Sequence, residues 1–272
     1  MPTQIEKTAT LRALQAAPGA FLIANAWDGA SARILEGLGF PAIATSSGAH
    51  AGTLGRRDGH VTREEAIEHA RLIVANTNLP VSADLENCFR DDAAGAAETI
   101  RMAIESGLAG ASIEDAPQER ELPAYEFERA VERVAAAVEV ARASGTGFVV
   151  TGRTQNHIRP GADLAETIAR LQAYEAAGAD ILMAPGLATL DEVKAVCSSL
   201  SRPFNFMVGI PGRSFSVAEL EAAGVKRISL ATSLWKAAIT GLTAAAREAR
   251  EQGTFSFVES NIGTGELNRY LA

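Results

Sequence analysis

The sequence predicts an α/β protein folded as a (β/α)8 TIM barrel, and three observations carry that prediction. Eight short apolar runs alternate with segments of helical periodicity along the 272 residues. Strict alternation of strand and helix implies a parallel sheet, because parallel strands need a crossover between them. Eight such units in a chain of this length suit a closed barrel better than an open doubly wound sheet.

The elements follow in order. Residues 1–18 read as an extra helix ahead of the barrel. The strands are FLIANAW (21–27), AIATSS (42–47), VSADLE (81–86), GASIED (110–115), FVVTGRT (148–154), ILMAPG (181–186), FNFMV (204–208) and RISLATS (227–233). Helical periodicity covers 28–38, 63–76, 92–106, 124–143, 163–178, 189–200 and 216–223. The helix after the last strand, 234–252, is rich in Ala and Arg. ESGLAG (105–110), EAAGAD (175–180) and EAAGVK (221–226) place glycine where a helix ends and the chain turns back into a strand. Residues 253–272 form a tail whose Phe255, Phe257 and Tyr270 call for burial, on the barrel itself or on a neighbouring subunit. No linker or low-complexity block divides the chain, so 1–272 is expected to be one domain, with the barrel at 19–252.

Composition narrows the class. At 47% hydrophobic and 21% charged, the chain can bury an ample core. A net charge of -8 argues against general affinity for nucleic acid or anionic membranes. Cys88 and Cys197 lack CxxC spacing and suit a reducing compartment. No apolar stretch approaches the roughly 18 residues of a membrane span. The start lacks the order of a signal peptide, so a cytoplasmic location is expected.

Barrel enzymes carry their chemistry at the C-terminal ends of the strands. Those ends supply Trp27, Asp28, Thr45, Ser46, Ser47 and Gly48, then Asp84, Glu86 and Asn87. Further round come Glu114, Asp115, Arg153, Thr154, Asn156, His157, Asn205, Thr232 and Ser233. Within a strand, Asp84 and Glu86 share one face, and two like charges there are costly unless a cation neutralises them. Oxygen donors without His or Cys suit a hard cation, Mg²⁺ or Mn²⁺. Mg²⁺ keeps several waters, so Asp84 is expected as the direct ligand, with Glu86, Glu114 and Asp58 holding waters. The competing reading pairs these acids with Arg153 or uses them as helix caps.

"NAWDGASARILEGLGFPAIATSSGA" (25–49), with "LGRRDG", "LPVSADLEN", "ASIED" and "VVTGRT", resembles the isocitrate lyase/phosphoenolpyruvate mutase superfamily. The resemblance runs from about Asn25 to Arg153 and more weakly through "GADILMAPG" and "GVKRISLATS". It implies a Mg²⁺-dependent barrel enzyme acting on 2-oxo acids through an enolate. Asp84, Glu86 and Glu114 would be the metal acids, with Asp58 beside them. Ser46, Ser47 and Gly48 would hold substrate through backbone N–H groups, and Arg153 would be the strand-five arginine. Trp27 and Asn205 join the candidate substrate-binding residues; Asp58 and His157 join Arg153 as candidate catalytic residues. The resemblance also implies a homotetramer exchanging the last barrel helix, here 234–252.

The chemistry can be argued without the family. Cleaving a bond beside a ketone leaves charge on the ketone oxygen, and a divalent cation absorbs it as a Lewis acid. Backbone N–H groups can hold a carboxylate. A guanidinium can grip a second one bidentately.

The chain also departs from the family. Its lyases carry a Lys-Lys-Cys-Gly-His lid after strand four; here the segment from Asp115 to Pro123 is short and holds no Cys or His. Cys88 is expected to be a small buried thiol. The mutase branch's longer lid is missing too. Decarboxylation needs no base to remove a hydroxyl proton, so oxaloacetate decarboxylation is the expected activity. Cleavage of 2-methylisocitrate or processing of a phosphonopyruvate is the alternative, and a barrel that binds 2-oxo acids without turnover is the non-enzymatic rival. A phosphate loop at VGIPGRSF (208–215) is weighed against a plain Pro-Gly turn, which is preferred. His50 and His60 flank the loop after strand two, whereas His69 is expected at a helix surface. None of Lys7, Lys194, Lys226 and Lys236 sits at a strand's C-terminal end, which disfavours Schiff-base chemistry.

Overall fold

The structure is a computed structural model describing every residue except Gln118, Arg120, Ala162 and Ala272. Eight strands run in chain order: β1 Phe21–Ala26, β2 Ile43–Thr45, β3 Val81–Asp84, β4 Gly110–Glu114, β5 Val149–Arg153, β6 Ile181–Met183, β7 Phe204–Met207 and β8 Arg227–Ser229. Each pairs in parallel with the next, and β8 returns to β1 through Phe21↔Arg227, closing the barrel. The helices are α1 Gln4–Ala16, α2 Gly29–Gly37, α3 Ser47–Thr53, α4 Arg63–Ala75, α5 Ala93–Glu105, α6 Phe127–Ala143, α7 Leu164–Ala176, α8 Leu190–Ser198, α9 Val217–Ala222, α10 Ser233–Arg247 and α11 Thr264–Leu271. The predicted fold class is the one observed.

Local sequence sets the helix starts. Thr3/Glu6, Thr62/Glu65, Thr189/Glu192 and Ser216/Glu219 each form a reciprocal capping box, the expected product of an S/T-x-x-E pattern. α1 plugs the bottom of the barrel: Leu11, fully buried, packs with Ile23, Ala42, Ala109, Val149 and Ile181. The lower end is thereby apolar and closed, leaving the upper end for polar groups.

The strands are shorter at their C-terminal ends than the apolar runs suggest. Residues 46–47 end no strand; Ser46 instead caps α3, its Oγ accepting from the Ala49 N–H at 3.3 Å. α3 and α11 are helices that the hydrophobic periodicity did not single out. Around α10 the packing is sparse. None of its residues is buried, and Leu242 is 63% exposed. In the tail, Tyr270 packs on Gly37 of α2, where a Cβ would overlap its ring. Phe255 remains 62% exposed, edge-on to Phe257 at 6.5 Å. Among the described residues no helix is long and apolar enough to cross a membrane.

Candidate active site

A cavity of about 690 Å³ opens at the C-terminal end of the barrel and contains most of the expected residues. Ser46, Ser47, Gly48, Asp58, Asp84, Glu86, Glu114 and Arg153 all line it. Trp27, His157 and Asn205 do not.

Asp84 ends β3, but Glu86 does not share its strand. The strand stops, and Glu86 sits in the following loop with φ +49°. Its N–H donates to Asp84 Oδ1 at 3.3 Å, while its carbonyl accepts from the Glu114 N–H at 3.0 Å. The turn thus brings Glu86 to the cavity by backbone geometry and not by strand alternation, which corrects the period-two expectation. Asp115 turns the other way. It accepts from Tyr174 Oη at 2.6 Å, from Arg170 Nη1 at 3.3 Å and from the Gln155 N–H at 2.7 Å, so it braces the barrel wall.

Arg153, at the end of β5, lies among the acids. Its Nε is 3.2 Å from Glu114 Oε2 and its Nη1 is 3.7 Å from Asp84 Oδ1. Nε nevertheless makes no hydrogen bond, so the pairing is electrostatic and loosely aligned. Burial works against the guanidinium's charge, but Glu114, then Asp84, Asp58 and Asp115, outweigh it and raise its pKa. Burial pushes the Glu114 carboxyl up, with Arg153 opposing and Asp84 adding to the rise. Glu114 also accepts from Gln155 Nε2, and the Gln155 Oε1 acceptor is buried without a partner. Gln155 lines the cavity and was not foreseen; its place directly after the Arg-Thr of strand five is the one signal that points to it.

The loop after β2 contributes next. Ser47 gives both its N–H (3.4 Å) and its hydroxyl (3.0 Å) to Asp84 Oδ2, so these expected carboxylate donors orient the acid in this structure. Gly48 sits in close quarters: a Cβ there would lie 3.1 Å from Thr232 Cγ2 and 3.2 Å from Asp58 Cγ, so those side chains would have to give way. Trp235 and Lys236, at the start of α10, close the same side. Lys236 was not expected near the strand ends, but it is exposed, so the desolvation that amine catalysis requires is lacking.

The shortened lid is held down by an arginine. Arg159 donates from Nη1 to the carbonyls of Glu119 (2.6 Å) and Leu122 (3.0 Å), and from Nη2 to that of Pro117 (2.8 Å). Gln118 and Arg120 of this segment lie outside the described residues.

Residues away from the cavity have structural partners. His157 Nε2 is 3.9 Å from Glu192 Oε2. The Trp27 carbonyl accepts from His69 Nε2 at 2.9 Å. Asn205, fully buried, bonds Ser229 and Arg227 inside the barrel. His69 is not at the surface: it is buried and stacked on His50, ring centroids 3.8 Å apart and 8° from parallel. The helix face carrying it packs under α3, a tertiary placement that periodicity does not reveal. Cys88 is fully buried and its thiol is pushed up to about 12 by burial, as expected of an inert thiol. In the 208–215 segment, Arg213 Nη1 is tied to the Gly186 carbonyl at 2.6 Å.

Among the described residues no three Asp, Glu, His or Cys side chains converge closely enough to hold a metal ion unaided. Asp84 with neighbouring carboxylates is an all-oxygen donor set, and it fits a hard cation that takes one or two protein ligands and keeps most of its water.

With this geometry, the sequence profile described as phosphoenolpyruvate phosphomutase matches residues 11–250. The chain belongs to that family. The isocitrate lyase/phosphoenolpyruvate mutase resemblance is therefore correct. An oxaloacetate decarboxylase of Bradyrhizobium diazoefficiens is 32% identical over 200 residues, 71% of this chain and 68% of that protein. A solved structure from Burkholderia cenocepacia J2315 is 43% identical with a TM-score of 0.96, covering 98% of this chain and 97% of that one. The phosphoenolpyruvate phosphomutase of Streptomyces platensis subsp. rosaceus is 27% identical with a TM-score of 0.84, covering 94% of this chain and 91% of the other.

Proposed function

We propose that this family member is a divalent-metal-dependent carbon–carbon lyase acting on a small 2-oxo dicarboxylic acid, and that its reaction is oxaloacetate decarboxylation. One observation carries the choice within the family. Among the described residues, the lining of the cavity contains carboxylates, guanidinium groups and the exposed amine of Lys236, but no thiol and no imidazole. Retro-aldol cleavage of a 2-hydroxy acid needs a base to take the hydroxyl proton, and in this reading the cavity's carboxylates are committed to the metal and its waters. Decarboxylation of a 3-carboxy-2-oxo acid needs no such base: the C3–C4 bond breaks, CO₂ leaves, and its electron pair passes to the 2-oxo group as an enolate. Solvent then protonates C3. The similarity to a protein named oxaloacetate decarboxylase supports the same choice.

Asp84 would hold Mg²⁺ (or Mn²⁺) directly, and Glu86, Glu114 and Asp58 would hold its waters. When bound, the ion supplies Lewis-acid stabilisation of the enolate. The chain's own groups do the rest. Ser47 fixes the orientation of Asp84 through its N–H and Oγ, and Ser46 and Gly48 shape the adjoining wall. Arg153 offers a planar fork to a substrate carboxylate. Arg159 holds the lid segment at the edge of the cavity through the carbonyls of Pro117, Glu119 and Leu122. The unburied flank of α10 supports assembly into a homo-oligomer in which this helix is exchanged between subunits.

The test is a steady-state assay with Mg²⁺ and oxaloacetate. Pyruvate should form faster than with metal alone, and a rate no higher than the metal-only control would remove the proposal.

A further inference from the structure

A second cation lies deeper in the barrel than Arg153. Arg227 opens β8, is 4% exposed and borders the floor of the cavity. Its Nε donates to Asn205 Oδ1 at 2.7 Å and its Nη2 to Thr151 Oγ1 at 3.1 Å. Its Nη1 is buried and has no hydrogen-bond partner. Among the described residues no carboxylate lies within ion-pair distance of it. Burial draws its pKa down to about 9 with no acidic neighbour offsetting the fall, so it still carries a full charge at neutral pH.

A buried charge without a counter-charge, and with an unmade hydrogen bond, is an arrangement that folding alone does not favour. Barrel interiors are ordinarily filled by layers of branched apolar side chains. Here Ser82, Ser112 and Ser229 line the same cavity, Ser229 two residues along β8 from Arg227, and small side chains leave room. Ser229 Oγ accepts from Asn205 Nδ2 at 3.0 Å, which leaves the hydroxyl proton available to a ligand. Asn205 was expected to touch substrate; its observed role is to hold the guanidinium.

We propose that Arg227, positioned by Asn205 and Thr151, is an anion-binding subsite at the cavity floor that takes a small monoanion, either a halide or a carboxylate group. One unpaired cation among neutral neighbours calls for one negative charge, and a single free Nη1 edge with a nearby hydroxyl suits a small one. The subsite is independent of the reaction proposed for the cavity mouth and stands whether or not oxaloacetate is decarboxylated.

The test uses bromide and formate on the whole protein. Calorimetric titration of each, at constant ionic strength made up with a bulky sulfonate, should show binding that is at least about tenfold weaker in Arg227→Met. Equal affinity in variant and wild type would overturn the proposal. Where the variant does not fold, wild-type crystals soaked in bromide decide: an anomalous peak beside Nη1 supports the subsite, and an ordered water there with no bromide overturns it. Displacement of that bromide by formate marks a free monoanion. Displacement by malonate but not formate marks an arm reaching down from a larger ligand. Both results keep the subsite.

Discussion

The stacked imidazoles under the cavity loop make the protein sensitive to acid in a calculable way. His69 is lowered from 6.5 to about 4, first by burial and then by His50 beside it. The folded value lies below the unfolded one, so the unfolded chain binds the extra proton first as pH falls. Stability is therefore complete above about pH 6.5 and is lost progressively down to about pH 4. Two titrations about 2.5 units apart correspond to a loss from His69 alone of about 2 kcal/mol by pH 5 and about 3 kcal/mol below pH 4. His50, also lowered chiefly by burial, moves in the same direction. Urea unfolding of wild type and His69→Gln between pH 7.5 and 4.5 isolates the effect, since Gln can still donate to the Trp27 carbonyl but does not titrate. The variant should lose about 2 kcal/mol less than wild type over the pH 7 to 5 interval. Parallel curves would mean that His69 is solvated in the folded protein and is not buried against His50.

Three further predictions concern the cavity. Asp84→Ala should weaken Mg²⁺ binding by at least about tenfold with an unchanged far-UV circular dichroism spectrum; calorimetry showing wild-type affinity would contradict the ligand assignment. Arg153→Lys keeps the charge but loses the fork, so kcat/KM should fall by about tenfold or more, and wild-type kinetics would take Arg153 out of the site. Arg159→Met should free the carbonyls of Pro117, Glu119 and Leu122 in the lid segment. Proteolysis within that segment should become faster, with global stability little changed, and an unaltered cleavage rate would mean the lid is held by other contacts.

The catalytic end of this barrel was legible because its apolar runs end abruptly in acids, hydroxyls and one arginine. That contrast placed Asp84, Glu114, Arg153 and the Ser46–Gly48 turn in one cavity before any coordinates. The errors share a cause. Asp84 and Glu86 read as neighbours on a strand, yet the chain turns at Glu86 through a positive φ, which alternation rules cannot anticipate in a residue other than glycine. Asp115 looked equivalent to Glu114 and points into the wall, because Arg170 and Tyr174, which arrive from α7, hold it there. His157 and Trp27 follow strand ends, whereas Asn205 lies near the start of β7, and each has structural partners of its own.

By itself, the order of residues determined the alternation of strand and helix, the closed parallel barrel and the end at which polar groups gather. Those follow from hydrophobic periodicity and capping patterns, which are local. Only the tertiary structure decided which acids face one another, that His69 is buried against His50, and that Arg227 lies uncompensated beneath the cavity. Those depend on what arrives from elsewhere in the chain to satisfy, or fail to satisfy, a buried polar group.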